Sequence, residues 1–291
     1  MARLHPMLKQ ALPLLPDSVP VHLFTRHSVR ELATDGFADY RLPLTPEGVA
    51  MARRWGAELG RPISRFSSSP VGRCVDTAKA MMEGGIEAGL LDAPVEIERS
   101  MVLVEPGCYV EDVARVGPHF LKMGALRFIN QHLNEGMDGL LSPQAGRQKL
   151  LDFMREREPQ PGSLAVHVSH DTILIAFVAS LLGLDQVSEK DWPWMMEGCW
   201  LWFDERELHW IWRGEWQRRP LRWPQRSREQ TARRKASLTV KPNNLGVCAW
   251  TKNVNGVNWI LHRLRAQSQI TTRTTYRACA RFGNVLLEIC C

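Results

Sequence analysis

Residues 164–183 read LAVHVSHDTILIAFVASLLG. Leu164, Val166 and Val168 alternate, the period-two signature of a strand. Thr172 to Leu182 is an apolar run of helix length, stopped by Gly183. His170 and Asp171 stand at the corner between them. A strand that turns directly into a helix is the unit of an open α/β sheet. Such sheets bind ligands at the carboxyl ends of their strands, where helix N-termini offer unpaired N–H groups and partial positive charge.

The same arrangement recurs twice upstream. Val21 to Thr25 is a short β-prone run after Pro20 that ends at Arg26-His27; the next helix has Thr45 as N-cap, Pro46 at its first position, a stripe of Val49, Ala52, Gly56 and Leu59, and Gly60 with Pro62 as its stop. Arg65 to Ser69 reads as a strand entering Pro70, followed by a helix from Val71 to Glu83 that Gly84-Gly85 ends. Residues 100–160 read as helices and loops broken at Pro106, Gly107 and Gly117-Pro118, the expected cap or substrate-facing insertion. Cys199 to Phe203 and Leu208 to Trp212 are strands joined by the hairpin loop Asp204 to Glu207. The pattern predicts an α/β three-layer sandwich over residues 1–220, with a central, mainly parallel sheet and helices on both faces.

Charge divides the chain at the same place. Residues 221–291 carry 13 Lys/Arg against Glu229 and Glu288, a net of +11, which leaves residues 1–220 near −5. From Gln217 to Lys235 the Arg-rich stretch with Pro220 and Pro224 has the composition of a linker, and stretches such as Lys241 to Asn244 and Thr271 to Thr275 show no sustained period. Residues 221–291 are therefore expected to be a basic appendage, part of it without fixed structure. Its Arg-rich segment could attract nucleic acid or anionic lipid, but with no recognisable module beside it a solvated linker is the expectation. Seven cysteines with no C-x-x-C pair suggest neither a disulfide framework nor a zinc site, and they fit reduced thiols in the cytoplasm. The N-terminal apolar stretch is interrupted by Pro13 and Pro16, so no export signal is read, and no run reaches membrane-spanning length.

Arg26, His27, Arg30, Arg73, His170 and Asp171 form a coherent set for phosphoryl transfer. Guanidiniums fork onto phosphate oxygens and remain charged, and a neutral imidazole is a competent nucleophile. The segments Thr25-Arg-His-Ser-Val-Arg30, Leu44-Thr-Pro-Glu-Gly48, Ser68-Ser-Pro-Val-Gly-Arg-Cys-Val-Asp-Thr-Ala78 and Ser169-His-Asp-Thr-Ile173 resemble, in order, the four signatures of the histidine phosphatase superfamily.

The resemblance implies His27 as nucleophile, Arg26, Arg73 and His170 as phosphate ligands, and no metal or cofactor. The His170-Asp171 pair and Arg30 resemble the acid-phosphatase and phytase branch, in which the aspartate protonates the leaving oxygen. In the phosphoglycerate-mutase branch a glutamate does so, and Glu105 is the candidate here; the His-Asp pair favours Asp171. Ser28 replaces the motif's glycine, and Leu32 stands where the acid-phosphatase branch has proline. The implied activity is metal-independent hydrolysis of a small-molecule phosphomonoester through a phosphohistidine on His27. A phosphomutase, or a phosphate-binding sensor on the same fold, are the alternatives. His167 and His170, three apart on a strand, project to opposite faces and do not make a metal site with Asp171. His167 is expected in the core, and the tryptophans at 192, 194, 200, 202, 210 and 212 are expected in core and sheet packing.

Overall fold

The computed structural model describes residues 3–32 and 40–221, with their side chains except that of residue 121, and the backbone of four strands beyond them. Its contacts divide the chain into two units, Met1–Leu221 and Arg222–Cys291.

The first unit is built on a seven-stranded sheet in the order β3-β2-β4-β1-β5-β6-β7, with β1 Val21–Arg26, β2 Ile63–Ser68, β3 Ile97–Arg99, β4 Leu164–Ser169, β5 Gly198–Phe203, β6 Glu207–Trp212 and β7 Glu215–Pro220. The first four in that order pair parallel, and the last three continue antiparallel from β1. Side chains of β1 alternate between two buried layers. Val21 and Leu23 join the core under helices α2 (Pro46–Ala57) and α3 (Gly72–Glu87). On the opposite face Phe24 meets Phe177 of α7 (Asp171–Leu182), ring to ring at 5.5 Å. Helices therefore cover both faces at the centre of the sheet, where every residue of β4 is buried, which is why β4 reads as a nearly continuous apolar run.

Helix α2 begins as its cap chemistry requires: Thr45 accepts a hydrogen bond from the Gly48 N–H and Pro46 occupies the first turn. Its buried face differs from the stripe read above. Val49 is exposed, and Met51, Ala52, Trp55 and Gly56 face inward, because Trp55 packs edge-on against Trp200 at 6.2 Å. Helix α3 runs through Gly84-Gly85 rather than ending there. A Cβ on Gly84 would lie 1.8 Å from the Arg53 carbonyl oxygen, and one on Gly56 2.0 Å from that of Met81. These glycines are the contact surface of two helices whose backbones touch.

Between β3 and β4 lie α4 (Val113–Met123), α5 (Ala125–Asn134) and α6 (Pro143–Arg155). Gly117-Pro118 sits inside α4 and does not break it. The hydrogen bond that proline forgoes is offset by packing of the amphipathic face, where Val116 is buried and Phe120 meets Phe128 at 5.2 Å. β7 runs to Pro220 and takes in residues 217–220, where a linker was expected; an Arg-rich segment suits an exposed sheet edge, where charge discourages further pairing. Of the tryptophans, Trp200, Trp202, Trp210 and Trp212 are buried, Trp194 is exposed, and Trp192 serves the site described below.

In the second unit four strands, β8 (Ala249–Val254), β9 (Val257–His262), β10 (Arg277–Phe282) and β11 (Val285–Cys290), pair antiparallel in the order β11-β10-β9-β8. Lys241 to Asn244, Thr271 to Thr275, and the Arg-rich stretch from residue 222 onward lie outside the described residues. No helix of the described residues is long and apolar enough to cross a membrane.

Candidate active site

Parallel pairing brings three strand ends together. Arg26 at the end of β1 is opposite Ser169 of β4, and Ser68 of β2 is opposite Val168. His27, His170 and the Ser69–Arg73 turn therefore emerge side by side at the carboxyl edge of the sheet. The strand order crosses over here, since β4 lies between β1 and β2, and that is where an open α/β sheet offers its ligand crevice.

His27 is 2% exposed. Its backbone N–H donates to the Ser169 carbonyl at 2.9 Å, fixing it to the end of β4. Its Nδ1 faces only the carbonyl oxygen of Ser28, at 2.7 Å, so Nδ1 carries the proton and Nε2 keeps its lone pair. Arg73 Nε donates to that Nε2 at 3.0 Å. Burial, followed by the Arg26 and Arg73 charges, lowers the imidazole pKa to about 3. The ring is held neutral, in one tautomer, with its basic nitrogen facing a guanidinium.

Arg73 reaches both histidines because it sits in the first turn of α3. Its Nη2 lies 3.3 Å from Nδ1 of His170, which leaves the His170 Nε2 proton to Ser69 Oγ at 3.0 Å. His170, the residue before α7, is 1% exposed, and burial and then His27 and Arg73 hold its pKa well below the ordinary histidine value. Cys74 Sγ also approaches its Nε2, at 3.6 Å, but burial pushes that thiol up to about 12. Tyr40 covers the cluster from outside: the Arg73 guanidinium lies 5.4 Å from its ring centre, and the ring meets His170 edge-on at 6.4 Å.

Ser28 does not crowd the site. Its hydroxyl donates to the Gly48 carbonyl at 2.7 Å, and its N–H donates to Thr77 Oγ1 at 3.0 Å. The atom that glycine lacks is spent on the start of α2.

Arg26 and Asp171 form an ion pair at 2.6 Å between Nη2 and Oδ2. Arg26 Nη1 also donates to the Pro193 carbonyl at 2.7 Å, and Trp192 Nε1 donates to the same Asp171 oxygen at 3.2 Å. Burial would raise the Asp171 pKa; Arg26, then His27 and the indole N–H, outweigh it and hold the carboxyl below its usual range. Glu105 is the opposite case. Burial, followed by the Asp171 charge, pushes it up to about 7, against the hydrogen bond it accepts from the Thr172 hydroxyl. Arg30 is half-exposed at the rim, and its Nη1 donates to the Glu31 carbonyl at 2.9 Å. The structure thus gathers six of the seven residues read from the sequence into one cluster, with His27, Arg73 and His170 buried and Arg26, Glu105 and Asp171 partly buried, and leaves Arg30 beside it.

Tyr40, Trp192, Ser69 and Thr172 were not read from the sequence as site residues. Ser69 and Thr172 lie inside the matched segments; Tyr40 and Trp192 arrive from loops with no local signal. Among the described residues one trio could bring metal-ligand atoms within 4.8 Å: Asp204, Glu207 and His209 of the β5–β6 hairpin. There Asp204 already caps the turn by accepting from the Arg206 and Glu207 N–H groups.

The sequence pattern of the histidine phosphatase superfamily (branch 1) matches residues 23–217, more than half of the chain. The chain belongs to this superfamily. No curated protein sequence matches it. Among solved structures, this superfamily member is similar to a phosphoserine phosphatase variant from Entamoeba histolytica in complex with phosphoserine, at 19% identity and a TM-score of 0.45, covering 68% of this chain and 94% of that one. It is also similar to the phosphoglycerate mutase of Bacillus anthracis, at 15% identity and a TM-score of 0.43, covering 70% and 94%. Residues beyond 217 fall outside the superfamily match.

Proposed function

We propose that the protein hydrolyses phosphomonoesters through a phosphohistidine on His27, with Glu105 as the proton donor. The observation that supports this most is the state of the His27 ring, whose Nδ1 proton is committed to Ser28 and whose Nε2 lone pair faces Arg73. A nucleophilic nitrogen next to fixed guanidiniums is suited to a phosphorus atom and to little else.

In this reading the His27 Nε2 lone pair attacks phosphorus, and the bond from phosphorus to the ester oxygen breaks. Glu105 gives its proton to that oxygen, releasing an alcohol. The imidazole becomes positive, and the Nδ1–H bond to the Ser28 carbonyl strengthens to meet that charge. Water then loses a proton to the Glu105 carboxylate and attacks phosphorus, the N–P bond breaks, and inorganic phosphate leaves with His27 neutral again. Arg26, Arg73 and the neutral His170 would hold the non-bridging oxygens; each well-placed donor is typically worth about 10²–10³ in rate. Charge neutralisation by these side chains leaves no step that calls for a metal.

Glu105, not Asp171, suits the acid role because a donor working near neutral pH has to be protonated there. Asp171 faces Arg26 and is held ionised. This reverses the preference drawn from the His-Asp pair. A site with a poised nucleophile and a protonated carboxyl also disfavours the sensor alternative.

Hydrolysis of an aryl phosphate in the presence of a chelator tests the reading, comparing wild type with His27→Ala. Turnover that survives the chelator and disappears in the variant is the expected result. Turnover that the chelator abolishes, or that His27→Ala retains, would contradict it.

A further inference from the structure

Asp171 has its lone pairs occupied by three donors. Oδ1 accepts the Thr172 N–H at 2.9 Å, and Oδ2 accepts Arg26 Nη2 at 2.6 Å and Trp192 Nε1 at 3.2 Å. Each contact favours the ionised form, which is the wrong form for a proton donor. Arg26 is gripped from two sides, by this carboxylate and by the Pro193 carbonyl, and the Trp192-Pro193 segment supplies one contact to each partner.

The second link runs to Glu105. Thr172, whose N–H binds Asp171, gives its hydroxyl to Glu105 Oε1. Two carboxyls therefore share the first turn of α7, where like charges cannot both form cheaply. The other charged or titratable groups acting on the pair are Arg26 and His27 from the end of β1, Arg73 and Cys74 from α3, His170 before α7, and Tyr40 from the loop preceding α2. Arg26 acts on both carboxyls and Arg73 on Glu105, but the direct ion pair from Arg26 goes to Asp171.

We propose that Asp171 is a positioning residue, whose carboxylate locks Arg26 against the Trp192-Pro193 segment and whose charge keeps the neighbouring Glu105 protonated until it is used. This rests on Glu105 being the proton donor. The glutamate would then be a working acid because an aspartate beside it takes up the Arg26 charge.

The test compares kcat/KM against pH, between about pH 4 and 9, for two aryl phosphates: p-nitrophenyl phosphate, whose leaving group needs little protonation, and phenyl phosphate, whose leaving group needs more. Asp171→Asn is expected to lose on the order of 10²-fold, as a misplaced ligand does. At pH values below the alkaline limb the loss should be equal on both substrates, and the limb itself should move to lower pH. Trp192→Phe, which keeps both carboxylates, is expected to lose activity equally on both substrates without moving that limb, and it serves if Asp171→Asn does not fold. Glu105→Gln is expected to remove the alkaline limb and to cost phenyl phosphate about 10²–10⁴-fold more than it costs the nitrophenyl ester.

An Asp171→Asn loss confined to phenyl phosphate at pH values below the alkaline limb would make Asp171 the donor and overturn the proposal, as would unchanged rates and an unmoved limb. If Glu105→Gln leaves the limb and the leaving-group dependence intact, the underlying reading of Glu105 fails first, whatever Asp171 does.

Discussion

Two pairs of histidines lie on the same two strands of this protein and do different things. His22 and His167 sit within β1 and β4, 3.0 Å apart between Nδ1 and Nε2, among Phe153 and Phe203. His27 and His170 sit just past the ends of those strands, with their rings 5.6 Å apart and Arg73 bonded to both. Both pairs are buried and held neutral; burial is the leading cause for all four rings. Burial by itself therefore does not distinguish the two pairs. In the inner pair His22 Nε2 and His167 Nδ1 have no hydrogen-bond partner among the described residues, whereas in the outer pair each ring nitrogen has one. What distinguishes the outer pair is its place at the carboxyl edge, where helix N-termini and guanidiniums can reach it.

The largest expected separation between the pairs is catalytic. His27→Ala should lower phosphoester turnover by on the order of 10⁴-fold or more, while His22→Leu should leave kcat within about threefold, since only a contact remote from the chemistry changes. Steady-state rates on one aryl phosphate decide it, and a comparable loss in both variants would erase the distinction. Next comes Arg73→Lys, which keeps the charge but cannot reach both imidazoles. A loss of about 10²–10³-fold is expected, against little change if Arg73 served only as a surface cation.

The inner pair should show itself in acid. Folded His22 titrates at about 3 and unfolded histidine at about 6.5. Between those values the unfolded chain binds more protons, so stability is full above about pH 6.5 and falls as the pH drops towards 3, by up to about 1.4 kcal/mol per pH unit for each such group. His167 and the outer pair shift in the same direction. Urea unfolding midpoints at about pH 4.5 and 7 should therefore differ less in His22→Leu than in wild type, and an equal difference would contradict the burial argument. The smallest effect belongs to Tyr40. Its ring lies against Arg73, a contact worth about 0.5–2 kcal/mol, so Tyr40→Ala should raise KM or lower kcat several-fold, with no change in the pH profile beyond the loss of its own hydroxyl. A rate unaffected by the substitution would place Tyr40 outside the substrate path.

The corners after β2 and β4 were legible because everything that makes them is local: a strand run, a turn and a helix that follow one another directly. Arg73 and His170 could be read for the same reason. What was not legible depends on contacts between distant segments. Gly84 reads as a helix end until Arg53 is seen against it, and residues 217–220 read as a linker until β6 is there to pair with them. Trp192 lies 21 residues from Asp171 on a loop with no motif, and without its indole and the Arg26 contact Asp171 looks like an acid waiting to donate. The difference between Asp171 and Glu105 is one of surroundings, not of residue type, so the sequence could nominate both, and its preference for Asp171 rested on the His-Asp pair alone.

The central claim is that phosphate passes through His27. The most direct measurement is rapid quenching of the enzyme with an aryl phosphate at alkaline pH, followed by mass spectrometry of the peptide containing residues 21–30 and of the same peptide from Glu105→Gln. The account predicts an acid-labile phosphoryl group on His27, at up to one per chain, abolished in His27→Ala. Turnover without a phosphorylated His27 in either protein, or a phosphoryl group found on another residue, would contradict it.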